Sequence, residues 1–343
     1  MKPVGGDLRF AWVGFHAEGL AALQAMLAAG APIGAVLTLK PELAAKRSGG
    51  VDYASVCSEY GVPLHYIAGI NELDAAQILE ALSPDVIFVI GWHQIVRPPV
   101  MRIARLGLIG AHASFLPHNR GSAPINWAII RGERESGNTL MWLSEGVDEG
   151  DIIAQRAFPI TPYDTCATLY AQVAASNREM LLELLPRLMA GERPDRPQER
   201  SDEPVLRRRR PADGRITWDR PAPIVYDFVR GLTRPYPGAF SSLDGKQWWI
   251  WEAALLPDRG VVGDPGEVLG PVRSPVQSAC GQLVACGSGA VILLEVEDDA
   301  GTRLRGQALS ELPWTGKRWE SEPAVPPLHA VERGPGGEVV KNA

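Results

Sequence analysis

The sequence predicts an α/β fold: a doubly wound, mostly parallel sheet followed by a second, smaller β-barrel-like domain. Three observations carry the prediction. The first half alternates short apolar runs with stretches of helical spacing. One run, DVIFVI at residues 85–90, is apolar throughout, as in a strand covered by helices on both faces. A Pro- and Arg-rich linker at residues 191–211 then separates this half from short runs punctuated by Gly and Pro.

Taken in order, residues 8–15 read as a strand. Residues 18–29 read as a helix, because Leu20, Leu23, Met26 and Leu27 share one face before Gly30 ends it. Further strands are expected at 33–39, 62–66, 85–90 and 106–112. Helices are expected at 52–60, at 72–82 and over a segment containing 180–189. Beyond the linker, a helix at 223–232 and strands at 215–218, 239–243, 247–254, 266–269, 283–286 and 290–296 suggest a small barrel. The expected domains are 1–203, the α/β unit with its linker helix; 204–318, the barrel-like unit; and 319–343, a loosely ordered tail rich in Pro, Gly and charge. Alternation in QWWIWEA places Trp249 and Trp251 on one face, read as barrel core, with a nucleobase-stacking platform as the alternative.

Composition narrows the function classes. With 45% hydrophobic residues the chain has enough apolar side chain for packed cores, which excludes a disordered protein. No apolar run approaches the roughly 20 residues a bilayer requires. The opening MKPVGGDLRF carries no apolar export signal and the four cysteines form no CxxC pair, so a reducing cytoplasm is expected. Of 34 Lys/Arg and 40 Asp/Glu, the part from Pro204 onward holds 17 of each, leaving 17 and 23 for the first part. Neither part has the basic surplus of a domain that grips a nucleic-acid backbone. The local run Arg207 to Arg210 reads as a solvated strip beside the linker, with phosphate binding as the alternative.

No Walker loop or GxGxxG is present, and the turn after the first strand, Gly14-Phe15-His16-Ala17-Glu18, lacks the glycines of a dinucleotide site. Among the histidines, His93, His112 and His118 fall at the carboxyl-end edge of the expected sheet, where α/β folds bind ligands. Glu145 to Asp151 offers acidic groups in a glycine-flexed loop. A histidine oriented by a carboxylate moves protons near neutral pH. Nothing pairs the histidines at metal-ligand spacing, and no metal is expected.

The segments HASFLPHNRGSAPINWAIIRGE from His112, Gly-x-Thr at 137–139 and VDEGDII from Val147 resemble the N10-formyltetrahydrofolate-dependent formyltransferases. PADGRITW, PYPGAF, PGEVLG and GQALSEL are similar to that family's C-terminal domain, closest to the branch acting on amino groups of nucleotide-linked sugars. The resemblance covers roughly residues 8–315 and implies a transferase that uses N10-formyltetrahydrofolate as formyl donor. It implies a small-molecule nucleotide-sugar amine as acceptor, a tRNA being disfavoured by the charge-balanced second part. Sugar-modifying members often pair through the second domain, so a homodimer is consistent with the resemblance.

Carried over by position, the catalytic His is His112 and the Asp is Asp148, while Gly110 occupies the position of the motif Asn. Gly91, Trp92, His93, Ser114, Leu116, Gly146 and Val147 are expected at the folate, and Arg120, Asn126, Arg209 and Arg210 at the acceptor. Arg120 serves either a ligand anion or its own loop, and Ser114 either the site or local backbone. Removing an oxyanion donor costs about 100- to 1,000-fold in turnover, and Gly110 leaves three readings open. The chain remains a formyltransferase, with a water, Asn126 or His93 supplying the donor; it uses a different acyl donor or reaction in the space vacated; or it binds without catalysing.

Overall fold

The structure, a computed structural model, describes residues 8–256, 260 and 263–320. Its first part runs β1 (Phe10–Val13), α1 (Ala17–Ala28), β2 (Ile33–Leu39), α2 (Pro41–Ala44), α3 (Ala54–Tyr60), β3 (Leu64–Ile67), α4 (Leu73–Leu82), β4 (Val86–Val89), α5 (Pro98–Met101), β5 (Gly107–His112), α6 (Pro124–Ile130), β6 (Glu135–Trp142), β7 (Ile152–Pro159) and α7 (Cys166–Met189). The sheet order is β3-β2-β1-β4-β5-β6-β7. The pairs from β3 to β5 are parallel, and the last two are antiparallel.

Period-two alternation divides each buried strand between two cores. Phe10 and Trp12 of β1 join Phe88 of β4 and Met180 and Leu181 of α7 on one face. Ala11 and Val13 join Ile87, Val89, Leu79 and Val100 on the other. This is why DVIFVI reads as an unbroken apolar run. The strands β6 and β7 and the helix α6 are absent from the elements expected above. Polar residues such as Ser136, Asn138, Thr139, Gln155 and Arg156 interrupt the apolar pattern of the two strands. In the structure Asn138 is fully buried because its amide donates to Ser176 Oγ at 2.9 Å and to Asn177 Oδ1 at 2.6 Å on α7.

The second part comprises α8 (Ala222–Leu232), β8 (Ala239–Leu243), β9 (Lys246–Leu255), β10 (Val268–Val272), β11 (Gly281–Ala285), β12 (Ala290–Asp298), β13 (Arg303–Arg305) and α9 (Gln307–Ser310). Its antiparallel sheet has the order β10-β11-β12-β9-β8, with β13 against β12. The segment at 317–320 bridges the two edges, since Trp319 N donates to Gly266 O and Glu320 N to Ser242 O. Trp319, expected at the start of the tail, is instead fully buried in this second core. The remainder of that tail, from residue 321, lies outside the described residues.

Two further expectations change. Residues 215–218 form no strand, and Arg215 sits in an isolated bridge to Phe240. On β9 the alternation is as read but the face is reversed: Trp248 and Ile250 are buried, while Trp249 and Trp251 are half-buried on the opposite side. The Arg234 guanidinium lies 4.0 Å over the Trp251 ring, so that face is capped by charge. Among the described residues no helix is long and apolar enough to cross a membrane.

The two parts are fastened through α6 and α8. Asn126 Nδ2 donates to Gly231 O at 2.7 Å, and Arg230 donates to Thr161 O and Asp164 O at 3.1 and 2.6 Å. Replacing Trp319 by Ala removes a fully buried indole from the residues that close the second sheet. It should cost about 3–5 kcal/mol, seen as a lowered urea midpoint of the intact chain.

Candidate functional site

The chain order puts β1 at the sheet's switch point: β2 and β3 lie on one side of it, and β4 lies on the other. Beyond the carboxyl ends of strands at such a point the chains diverge and leave a crevice. Here the crevice is a cleft of about 720 Å³. The turns after β1 and β4 carry Phe15, His16, Trp92 and His93 into its wall. Their rings form one aromatic group, with Phe15 packed edge-on against Trp92 and His93 at centroid distances of 5.5 and 5.1 Å. Trp92 Nε1 and His93 Nδ1 are buried with no hydrogen-bond partner among the described residues. Burial, with Arg47, His16 and Arg208 near it, lowers the His93 pKa to about 4.

His112 ends β5 and is 7% exposed. Its Nδ1 lies 3.4 Å from Asp148 Oδ2, and its Nε2 lies 2.9 Å from the carbonyl oxygen of Asn119. Both ring nitrogens therefore face oxygens, so a ring with one proton serves one of them and a ring with two serves both. Asp148 has φ 55 and accepts the Gly121 N–H at 2.8 Å, which ties its loop to the segment after His112. Asn119 also adopts φ 57, a conformation Asn tolerates better than most residues. Its amide donates to both oxygens of Glu133 and its Oδ1 accepts from Arg131 at 2.9 Å, so the carbonyl facing His112 is held in place.

Gly110 lies two residues upstream on β5 and also lines the cleft. The space beside it is not vacant. A Cβ at Gly110 would sit 2.5 Å from Leu143 Cδ2 and 3.1 Å from Leu143 Cγ. Leu143 comes from the end of the neighbouring strand, where its N–H bonds to Leu108 O at 2.8 Å. The expectation of room for a larger acyl group is corrected by this side chain. Leu143 lines the cleft together with the aliphatic side chains of Met141, Val96 and Met101.

Another stretch of the wall is cationic. The linker that reads as a solvated strip instead runs along the cleft, because Gly121 pairs with Leu206 in a parallel bridge that draws the arginines inward. A Cβ at Gly121 would sit 2.5 Å from Leu206 O, and its φ of 108 adds a second reason for glycine there. Arg208, Arg209 and Arg210 all line the cleft. Arg209 lies between the Trp127 and Phe228 rings, 4.9 and 5.5 Å from their centroids, and burial lowers its pKa to about 10. Lys46 and Arg47 add two more cations from the loop before α3.

Gly146, Val147 and Asn126 line the same cleft. Asn126, a candidate for the missing oxyanion donor, already donates from Nδ2 to Gly231 O. Gly91 supports the site from behind, its carbonyl accepting the Phe15 and His16 N–H groups. Other expected residues lie elsewhere. Arg120 is 9% exposed and serves its own surroundings, pairing with Glu149 and donating to Ser201 O and Glu203 O. Ser114 Oγ donates to His118 O at 2.7 Å, and Leu116 is buried with its N–H on Thr139 Oγ1. His118 points to a separate small cleft, where its ring lies 2.6 Å from Glu203. Leu143, Asn119, Lys46 and Arg47 escaped sequence reasoning. A leucine after a strand, an asparagine in a loop and a basic pair before a glycine pair carry no signal of their own.

Gly110→Asn should cost about 1–3 kcal/mol, because Leu143 must move aside. Adding Leu143→Ala should return most of that loss, giving favourable coupling in a double-mutant cycle read by denaturant unfolding. Additive losses would show that the two positions do not compete for one space. His93 is neutral in the folded chain above about pH 4 but takes a proton near 6.5 when unfolded. Its share of stability is therefore present above pH 6.5 and is lost as pH falls toward 4. His93→Gln should flatten that part of the plot of melting temperature against pH.

Residues 44–185 match the formyl transferase family and residues 209–311 match the formyl transferase C-terminal domain, together more than half of the chain. Solved structures of similar fold include HypX from Aquifex aeolicus in complex with tetrahydrofolic acid, at TM-score 0.60 and 20% identity over 88% of this chain. The chain spans only 46% of that protein's length, about half. WlaRD, described as a sugar 3N-formyl transferase, matches with TM-score 0.60 and 16% identity over 84% of this chain and 97% of its own. An N-formyltransferase from Helicobacter canadensis matches with TM-score 0.61 and 18% identity over 84% of this chain and 99% of its own. With both family segments in order on the two-domain fold, the chain belongs to the formyl transferase family.

Proposed function

We propose that this chain transfers a formyl group from N10-formyltetrahydrofolate to an amino group of a nucleotide-linked sugar. The observation that carries the reading is the His112–Asp148 pair, set in a cleft lined by both aliphatic and cationic side chains. Family membership supports the formyl chemistry. WlaRD is described with dTDP and 5-formyltetrahydrofolate, and the Helicobacter canadensis protein with folinic acid and dTDP-3-aminofucose. Both support an amino sugar as acceptor here.

The residues present fit the folate donor. Val96, Met101, Met141 and Leu143 offer aliphatic surface, and the buried, unpartnered Trp92 Nε1 and His93 Nδ1 suit the polar edge of a flat heterocycle. When bound, the folate supplies a formyl carbon open to attack by an amine.

The remaining chemistry falls to side chains of this chain. One proton must leave the acceptor nitrogen, and one must reach the departing nitrogen. His112 Nδ1 is the place on the wall where such a proton can lodge, between Asp148 and the cleft. The carboxylate orients the ring and offsets the charge the ring gains. The Gly121 N–H keeps that carboxylate from swinging away. With Leu143 packed over Gly110, no side-chain amide reaches the developing oxyanion at that point, and His112 becomes its side-chain partner.

Mass spectrometry of nucleotide-linked amino sugars incubated with the chain and N10-formyltetrahydrofolate should show a product heavier by one formyl group. His112→Ala should slow its formation by about 100- to 10,000-fold while folate still binds. Folate binding with no formylated product from any acceptor tried would overturn the reading.

A further inference from the structure

We propose that Glu133 is a positioning residue for His112: it holds Asn119 so that the Asn119 carbonyl keeps the proton of the neutral ring on Nε2 and leaves Nδ1 free to accept one. Glu133 lines the small separate cleft and not the large one, so it acts through Asn119. The formyl-transfer reading supplies the reaction in which the ring serves, whereas the place of its proton is read from bonds within this chain.

The sequence presents Glu133 on a helix end of fixed shape. Gly132, at φ 70, donates its N–H to Ile129 O at 2.9 Å, and Glu133 donates its own to Ala128 O at 3.0 Å. Those two bonds are the paired closure of a Schellman motif, which a glycine at positive φ completes without steric cost. All residues of α6 from Pro124 to Ile129 are buried. Arg131 and Glu133 are therefore mounted on a helix that cannot shift without disturbing the packing beneath it.

Asn119 is held from three sides. Its amide donates to Glu133 Oε1 and Oε2 at 3.2 and 3.0 Å, and its Oδ1 accepts from Arg131 Nη1 at 2.9 Å. Its main-chain N–H reaches Glu203 Oε2 at 3.4 Å, while His118 Nδ1 lies 2.6 Å from Glu203 Oε1. Burial raises the Glu133 pKa, Glu203 adds to the rise, and the Asn119 amide, Arg131 and His118 oppose it. The bond between the two residues is thus mutual: the carboxylate fixes the amide, and the amide favours the charged carboxylate. With its side chain committed and φ at 57, Asn119 has little freedom to turn its carbonyl away from His112.

That carbonyl decides the tautomer. Its oxygen lies 2.9 Å from His112 Nε2, whereas Asp148 Oδ2 lies 3.4 Å from Nδ1. A carbonyl oxygen only accepts, so a bare Nε2 would set two lone pairs against each other at hydrogen-bond distance. The longer gap to Asp148 tolerates two acceptors better. The single proton of a neutral ring therefore sits on Nε2, and the lone pair on Nδ1 faces Asp148 and the cleft. When Nδ1 takes a proton it donates to Asp148, Nε2 keeps its bond, and the ring passes between its two states without turning.

The test is nitrogen-15 NMR of the full chain with labelled histidine, followed over a pH series to the neutral ring, with His112→Gln identifying the His112 signals. The wild type should show a protonated Nε2 and a bare Nδ1. Glu133→Ala should give a mixed spectrum in which the form protonated at Nδ1 appears. Asn119→Gly, which keeps the carbonyl and suits φ 57 but lacks the amide, is an independent route to the same release. Glu133→Gln retains an oxygen to accept from Asn119 and should restore the wild-type spectrum. In formyl transfer, Glu133→Ala and Asn119→Gly should lower kcat about tenfold or more with KM held within about twofold, as loss of an outer partner that orients a histidine does. Glu133→Gln should recover most of that loss. A wild-type ring protonated at Nδ1 alone overturns the proposal, as do Glu133→Ala and Asn119→Gly chains with the wild-type spectrum and kcat, or a Glu133→Gln chain no better than Glu133→Ala. The spectra need no turnover, so the expected tautomer shift in a chain that formylates no acceptor upholds the positioning and takes down the formyl-transfer reading instead.

Discussion

One carboxylate oxygen holds the site together. Asp148 Oδ2 accepts the Gly121 N–H at 2.8 Å and faces His112 Nδ1 at 3.4 Å. It thereby joins the loop after β6 to the segment after β5. Gly121 in turn pairs with Leu206, and that pairing draws the interdomain linker along the cleft. Orientation of the His112 ring and delivery of Arg208, Arg209 and Arg210 to the cleft thus hang on the same short chain of bonds. A charge-assisted hydrogen bond in a partly dry site is strong enough for such a junction.

The cleft divides its labour by polarity. Leu143, Met141, Val96 and Met101 make one part of the wall aliphatic, while five cations from two distant segments furnish the other. Between them lie His112 and His93, which differ in how they are held. His112 has an oxygen opposite each nitrogen, whereas His93 has a buried nitrogen with no partner and a pKa lowered to about 4.

Gly110 illustrates how a neighbouring side chain completes a wall. A glycine at a buried strand position would leave a hole, and protein interiors do not tolerate holes without cost. Leu143 fills it from the adjoining strand. The stretch of β5 that leads to His112 is therefore flanked by an aliphatic neighbour.

The sequence by itself determined much of the architecture of the first part and marked His112 and Asp148 as candidates. Strands such as Val86–Val89 and helices such as Ala17–Ala28 announce themselves because a buried face imposes a period on the chain, and Gly61 with φ 67 closes its helix as its residue type suggests. His112 and Asp148 were legible because they sit in long, ordered motifs. What only the tertiary structure decided lies in contacts between residues distant in sequence. The polar strands Glu135–Trp142 and Ile152–Pro159 are stabilised by pairing and by partners on α7, not by their own pattern. Leu143 over Gly110, Arg120 turned to its own loop, and Lys46 and Arg47 in one cleft with Arg208 all depend on which segments the fold brings together. No local period or spacing encodes those meetings, because the free energy that fixes them belongs to the packed chain as a whole.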